Sequence, residues 1–223
     1  TRGGIIYYES DQSDQKLEIV NCIFSNSYAE YGGAIYFNGI ISLTSSIFYD
    51  NTATQGSAIW STTGSGTIDN VTAINNTHAN FYFEVSGEIE IANSVITQTF
   101  GDTINTNGIQ CLNCQSLKLN NVTISDMNSA VAGGAVRFEQ LPYDTSTTLM
   151  LNIDASNFSF NQAPSGGGIY ISAQIIAEIL ETIIANNTAV NTTANAEGNG
   201  GGIYYNCENY LCKLTIDSST EIT

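Results

Sequence analysis

Proline is almost missing from this chain, with only Pro142 and Pro164 in 223 residues. A fold whose strands must donate backbone N–H groups on both edges tolerates few prolines, so the scarcity favours extended hydrogen-bonded ladders. Positive charge is nearly as scarce. Five basic residues (Arg2, Lys16, Lys118, Arg137 and Lys213) face 21 Asp and Glu, for a net charge of −16. That field repels phosphate backbones and anionic membranes, and it excludes nucleic acid as a partner. The one histidine, His78, reads as an ordinary surface residue. No run approaches the roughly 18 apolar residues of a membrane span, so this segment is not expected to insert into a bilayer. The chain opens at Thr1-Arg2-Gly3-Gly4 without Met, basic leader or apolar stretch. Any signal peptide therefore lies upstream or has been removed, and its absence here is uninformative.

What is present is polar but weakly charged. Charged residues make up 12 % of the chain, against about a quarter in ordinary domains, while Asn, Ser, Thr and Gly abound. Self-comparison finds a recurring Gly-Gly-Ala-Ile element. It occurs as Gly3-Gly4-Ile5-Ile6, Gly32-Gly33-Ala34-Ile35, Gly56-Ser57-Ala58-Ile59, a degenerate Asn80-Phe81-Tyr82-Phe83, Thr106-Asn107-Gly108-Ile109, Gly133-Gly134-Ala135-Val136, Gly166-Gly167-Gly168-Ile169 and Gly200-Gly201-Gly202-Ile203. The spacings are 29, 24, 24, 26, 27, 33 and 34 residues, which means loops of variable length on a constant frame.

Between these anchors lie period-two segments: Leu17 to Asn26, Ile41 to Asn51, Ile89 to Ile96, Leu117 to Ile124 and Leu149 to Ile153. Alternation marks strands with one buried face. Asn recurs after them at Asn26, Asn51, Asn76, Asn128, Asn161 and Asn187, where a buried amide would satisfy corner backbone groups. The pattern predicts an all-β, right-handed parallel β-helix of about eight coils, as one domain over residues 1–223. Ile35, Ile59, Ile109, Val136, Ile169 and Ile203 are expected to form an internal ladder, with the Gly-rich corners along one edge. An antiparallel sandwich would instead show hairpin turns.

Gly32 to Ile35 and Gly133 to Val136, alternating with Phe-x-x-Asn at Phe48 to Asn51 and Phe158 to Asn161, resemble the repeats of polymorphic outer-membrane proteins. More broadly, they are similar to β-helical surface proteins of bacteria and protists. The resemblance runs over about residues 3 to 213. It implies a surface-displayed passenger, adhesin or extracellular scaffold.

Cysteine usage points to the same compartment. Cys111 and Cys114 form a C-x-x-C, and Cys207 and Cys212 are five residues apart. A redox motif would expect a βαβ setting and a zinc site more ligands, so local disulfides in an oxidising compartment are the expected reading. Cys22 is left over and reads as a small buried residue.

Little else suggests chemistry. A polysaccharide lyase or hydrolase on this fold would pair carboxylates, but Asp50, Asp69, Asp102, Asp126, Asp154 and Asp217 sit at differing offsets without a basic cluster. The Gly-Gly-x-Gly-x-Asp nonapeptide of calcium β-rolls is absent. No catalytic, metal or cofactor site is therefore expected. Six Asn-x-Ser/Thr sequons, at Asn70, Asn75, Asn121, Asn157, Asn186 and Asn191, would carry N-linked glycans in a eukaryotic host. Aromatics cluster after the anchors, as at Tyr36, Phe37, Trp60, Tyr82 and Phe83. They form either an inward ladder or an exposed stripe for a glycan or partner. The chain begins in an anchor and closes in the alternating segment Leu214 to Thr223. Head-to-tail stacking of copies into a filament, or continuation into a longer rod, is expected.

Overall fold

The computed structural model describes residues 1–11, 15–99, 106–140, 148–190, 199–207 and 212–223. Short apolar-polar alternations, each broken by a turn residue after three to six positions, give three strands per turn of chain. In the second coil these are Ile35–Asn38, Ile40–Thr44 and Ile47–Tyr49. Each strand pairs in parallel with its counterparts in adjacent coils, building three eight-stranded sheets. The result is a right-handed parallel β-helix of eight coils. A small extra sheet, Gln162–Ala163 with Thr188–Ala189, widens the sixth and seventh coils. Pro164 follows the first of these strands, and Pro142 lies outside the described residues.

On the first sheet one row runs Ile6, Ile35, Ile59, Phe81, Ile109, Val136, Ile169 and Ile203. Its six middle members are wholly buried, and Ile203 in the last coil is only half-buried. The register corrects the degenerate fourth anchor. Phe81, not Phe83, pairs with Ile59 and Ile109, so that anchor is His78-Ala79-Asn80-Phe81 and the neighbouring spacings are 22 and 28.

Four of the five alternating segments between anchors are not single strands, whereas Leu149 to Ile153 lies within one, Leu149–Asp154. Lys16–Val20 belongs to the second sheet and Ile23–Ser25 to the third, with a corner at Asn21, whose φ is +55°. Asn70, Asn93 and Asn121 turn the same corner at φ +52°, +49° and +53°. Asn adopts this left-handed conformation more readily than other side chains with a Cβ. The corner takes two residues, and inward places fall at Leu43 and then Ser46, or at Ile91 and then Ser94, so the apolar-polar alternation slips by one position at the bend.

The residue after that turn points inward in a column, and except at Val71 and Val122 it bears a hydroxyl or thiol that bonds the corner. Ser94 Oγ accepts from Val71 N at 3.0 Å and donates to Ala92 O at 2.6 Å. Ser156 accepts from Val122 N at 3.1 Å and donates to Asp154 O at 2.8 Å. Ser46 and Thr182 repeat the arrangement. Cys22 occupies this column in the first coil, its thiol directed at Val20 O at 3.4 Å. It is half-buried, packs against the core as a small residue and takes the place that serine holds in other coils.

A second polar column follows the third sheet. Asn51 Nδ2 donates to Phe24 O in the preceding coil at 3.0 Å and to Asn76 Oδ1 in the next at 2.8 Å. Asn161 makes the same pair of bonds to Ile124 O and Asn187 Oδ1, both at 3.0 Å. Asn26 and Asn128 are exposed and lie outside this ladder. Met127 takes the inward place beside Asn128 and donates its backbone N–H to Asn161 Oδ1 at 3.1 Å.

The Gly-rich corner lies between the third and first sheets, superimposed coil on coil as expected. Gly32, Gly56, Gly133 and Gly166 have φ between +59° and +71°. A Cβ on the neighbouring Gly33 would lie 2.3 Å from Ser57 O of the next coil, so here backbone packs on backbone.

Candidate functional site

The residues following the anchor alternate between core and surface. Phe37, Phe83 and Phe138 point inward and are wholly buried. Tyr7, Tyr36, Trp60, Tyr82, Gln110, Arg137, Tyr170 and Tyr204 form the outward row. The aromatics therefore supply both an inward ladder and an outward row.

That row is not uniformly open. Tyr36 and Trp60 are 1 % and 4 % exposed although they face outward. Tyr31 stacks on Trp60 at 4.8 Å, and the Arg2 guanidinium lies 5.2 Å from the Tyr36 ring centre. Further along, Tyr82 and Gln110 are also buried, and with the half-buried Arg137 they floor a cleft of about 200 Å³ walled by the corner residues Gln55, His78 and Val131. Beyond it Tyr170 and Tyr204 stack at 5.1 Å. Burial, the largest cause, raises the Tyr170 phenol above its ordinary pKa and keeps it a hydrogen-bond donor at neutral pH.

The cleft's polar groups are held in place. Arg137 donates through Nε and Nη2 to Glu139 Oε2 at 2.8 and 2.5 Å. Gln110 Nε2 donates to Asn107 Oδ1 at 2.8 Å, and Asn107 Nδ2 in turn donates to Ala132 O and Gly133 O. His78, with φ +59°, occupies the place that glycine holds at Gly56 or Gly166, and its Nδ1 is buried without a partner. The histidine that read as an ordinary surface residue is thus fixed at the cleft wall by a corner conformation. The signal was present in the sequence, but the fourth anchor had to be placed two residues earlier to see it.

The other expected site residues are dispersed. Cys111–Cys114 and Cys207–Cys212 are disulfide-bonded, the first wholly buried between the first and second sheets. This pairing is the chemistry of an oxidising compartment. Asp69 and Asp154 share one row of the second sheet but are three coils, roughly 14 Å, apart. Asp50 and Asp126 repeat that separation at the next corner, whereas paired catalytic carboxylates sit about 5–9.5 Å apart. Asp102 lies outside the described residues. Among the described residues no three His, Cys, Asp or Glu gather as a metal site.

The sequons fall into distinct settings. Asn70 and Asn121 are exposed corner residues whose amides donate to Ser45 Oγ and Asn93 Oδ1 at 3.0 and 2.8 Å. Asn75 is half-buried and accepts from Thr99 N and Oγ1, both at 2.7 Å. Asn157 lies half-buried within a third-sheet strand. Asn186 is exposed, and its side chain is unbonded among the described residues. Asn191 lies outside the described residues.

Comparisons with protein-family models, curated proteins and solved structures find no match for this chain.

Proposed function

We propose that this chain is a secreted or surface-displayed structural β-helix, a rigid non-catalytic scaffold. The observation that carries the reading is the commitment of its inward polar groups to coil-to-coil ladders, since the Ser and Asn columns link successive turns of the rod. The two short-loop disulfides and the Gly-Gly-Ala-Ile and Phe-x-x-Asn repeats, which resemble those of polymorphic outer-membrane proteins, support display outside the cell. Antibody labelling of intact source cells tests it. Signal without permeabilisation is expected, and labelling confined to permeabilised cells would overturn the reading.

Two refinements belong to this reading. Self-association would run head to tail, pairing Ile6–Glu9 or Lys16–Val20 of one copy with the eighth coil of the next. Light scattering should then show mass rising with concentration, and a constant monomer mass would rule it out. If N-linked glycans are added, Asn186 is the best-presented acceptor, because its amide is exposed and unengaged. Glycopeptide mapping after expression in a eukaryotic secretory host should find it at higher occupancy than Asn157, and the reverse order would refute the assignment.

A further inference from the structure

We propose that the cleft over Tyr82, Gln110 and Arg137 binds one ring of a neutral sugar. This goes beyond the scaffold reading and does not depend on it. Size is the first argument. At about 200 Å³ the cleft is below the roughly 300–1,000 Å³ of drug-sized pockets, which restricts it to a ligand on the scale of a monosaccharide or the end of a chain.

The second argument is the kind of side chain. Gln55, His78, Gln110 and Arg137 are planar groups with donors and acceptors at fixed angles, suited to adjacent ring hydroxyls, and Tyr82 and Val131 offer apolar surface to C–H faces. Gln110 Nε2 is held by Asn107, which leaves Oε1 free to accept; Arg137 likewise uses Nε and Nη2 on Glu139, leaving Nη1. His78 Nδ1, buried and unpartnered, supplies a donor or an acceptor according to tautomer. Unsatisfied buried groups of this kind are costly in folding and are recovered by a ligand that bonds them.

Charge decides between sugar classes. Among the described residues no carboxylate lines the cleft, its guanidinium is already paired with Glu139, and the whole chain carries −16. A uronic or sialic acid would meet a neutralised arginine inside a repulsive field, whereas a neutral hexose meets only dipoles.

The corner geometry provides a clean test. His78→Gly restores the residue that other coils carry at φ near +60°, so it removes the imidazole without disturbing the corner. Val131→Trp fills the cleft from a position that is 38 % exposed. Saturation-transfer NMR with the disulfide-intact chain would compare glucose, galactose, mannose, fucose and N-acetylglucosamine with galacturonic acid. Saturable transfer from at least one neutral sugar is expected, weakened roughly tenfold by His78→Gly and abolished by Val131→Trp, with melting temperatures kept. The proposal is overturned if no neutral sugar binds, if only galacturonic acid does, or if neither variant changes the affinity.

Discussion

His78 holds a left-handed backbone that costs a residue with a Cβ about 1 kcal/mol, partly offset because glycine loses more freedom on folding. His78→Gly should therefore leave stability within about 1 kcal/mol of the parent, on the stabilising side, by thermal denaturation. The hydroxyl column gives a contrast. Ser156→Ala strands the N–H of Val122 and removes one of the two donors to the carbonyl of Asp154, which keeps the Asn121 N–H, and should cost about 1–2 kcal/mol. Cys22→Ser places the column's usual group in the first coil and should change stability by less than about 0.5 kcal/mol. Equal losses for the two substitutions would mean that the column does not organise the corner.

At the level of ladders and corners, Asn76→Ala should be the most damaging polar change. It removes the acceptor of Asn51 N and Nδ2 and the donor to Phe48 O and Asn80 Oδ1. A loss of about 3 kcal/mol is expected by calorimetry. The last coil should respond to acid. Hydrogen bonds from the Ser219 and Thr220 hydroxyls hold Asp217 at about 2, below its ordinary carboxylate value. A depressed pKa stabilises the fold above the unfolded value, so this support should fade as pH falls from about 4 towards about 2. Hydrogen exchange over Lys213–Ile216 should quicken in that window, and Asp217→Asn should abolish the dependence. Much of this level was legible in the sequence. Anchors and alternation carry burial directly, which is why the Ile ladder and Gly corners could be placed. The Asn21-type bends were hidden because exposed apolar residues beside them, such as Val20, Ile23 and Val95, mask the one-position slip in the alternation. The cleft was hidden because its walls, Gln55, His78 and Val131, come from three different corners that only the coil register brings together.

Across the whole molecule, each coil touches chiefly its neighbours, so stability is close to a sum of coil and interface contributions. The side-chain amide ladder is interrupted where Met127 takes the inward place, which divides it into an early block around Asn51 and Asn76 and a late block around Asn161 and Asn187. Native-state hydrogen exchange should show the two blocks opening with different free energies, and a single uniform value would contradict the division. The disulfides should differ in the same way. Cys207 is exposed, whereas Cys111 and Cys114 are wholly buried. Under mild reductant, alkylation mapping should find Cys207–Cys212 opened first. The stacking also has a metrical consequence. The first and eighth coils are separated by seven strand spacings, roughly 34 Å, along three continuous sheets. Whatever is joined before and after these coils is held apart by a ruler graduated in steps of about 4.8 Å, and gain or loss of one coil would change that distance by one graduation without altering the cross-section.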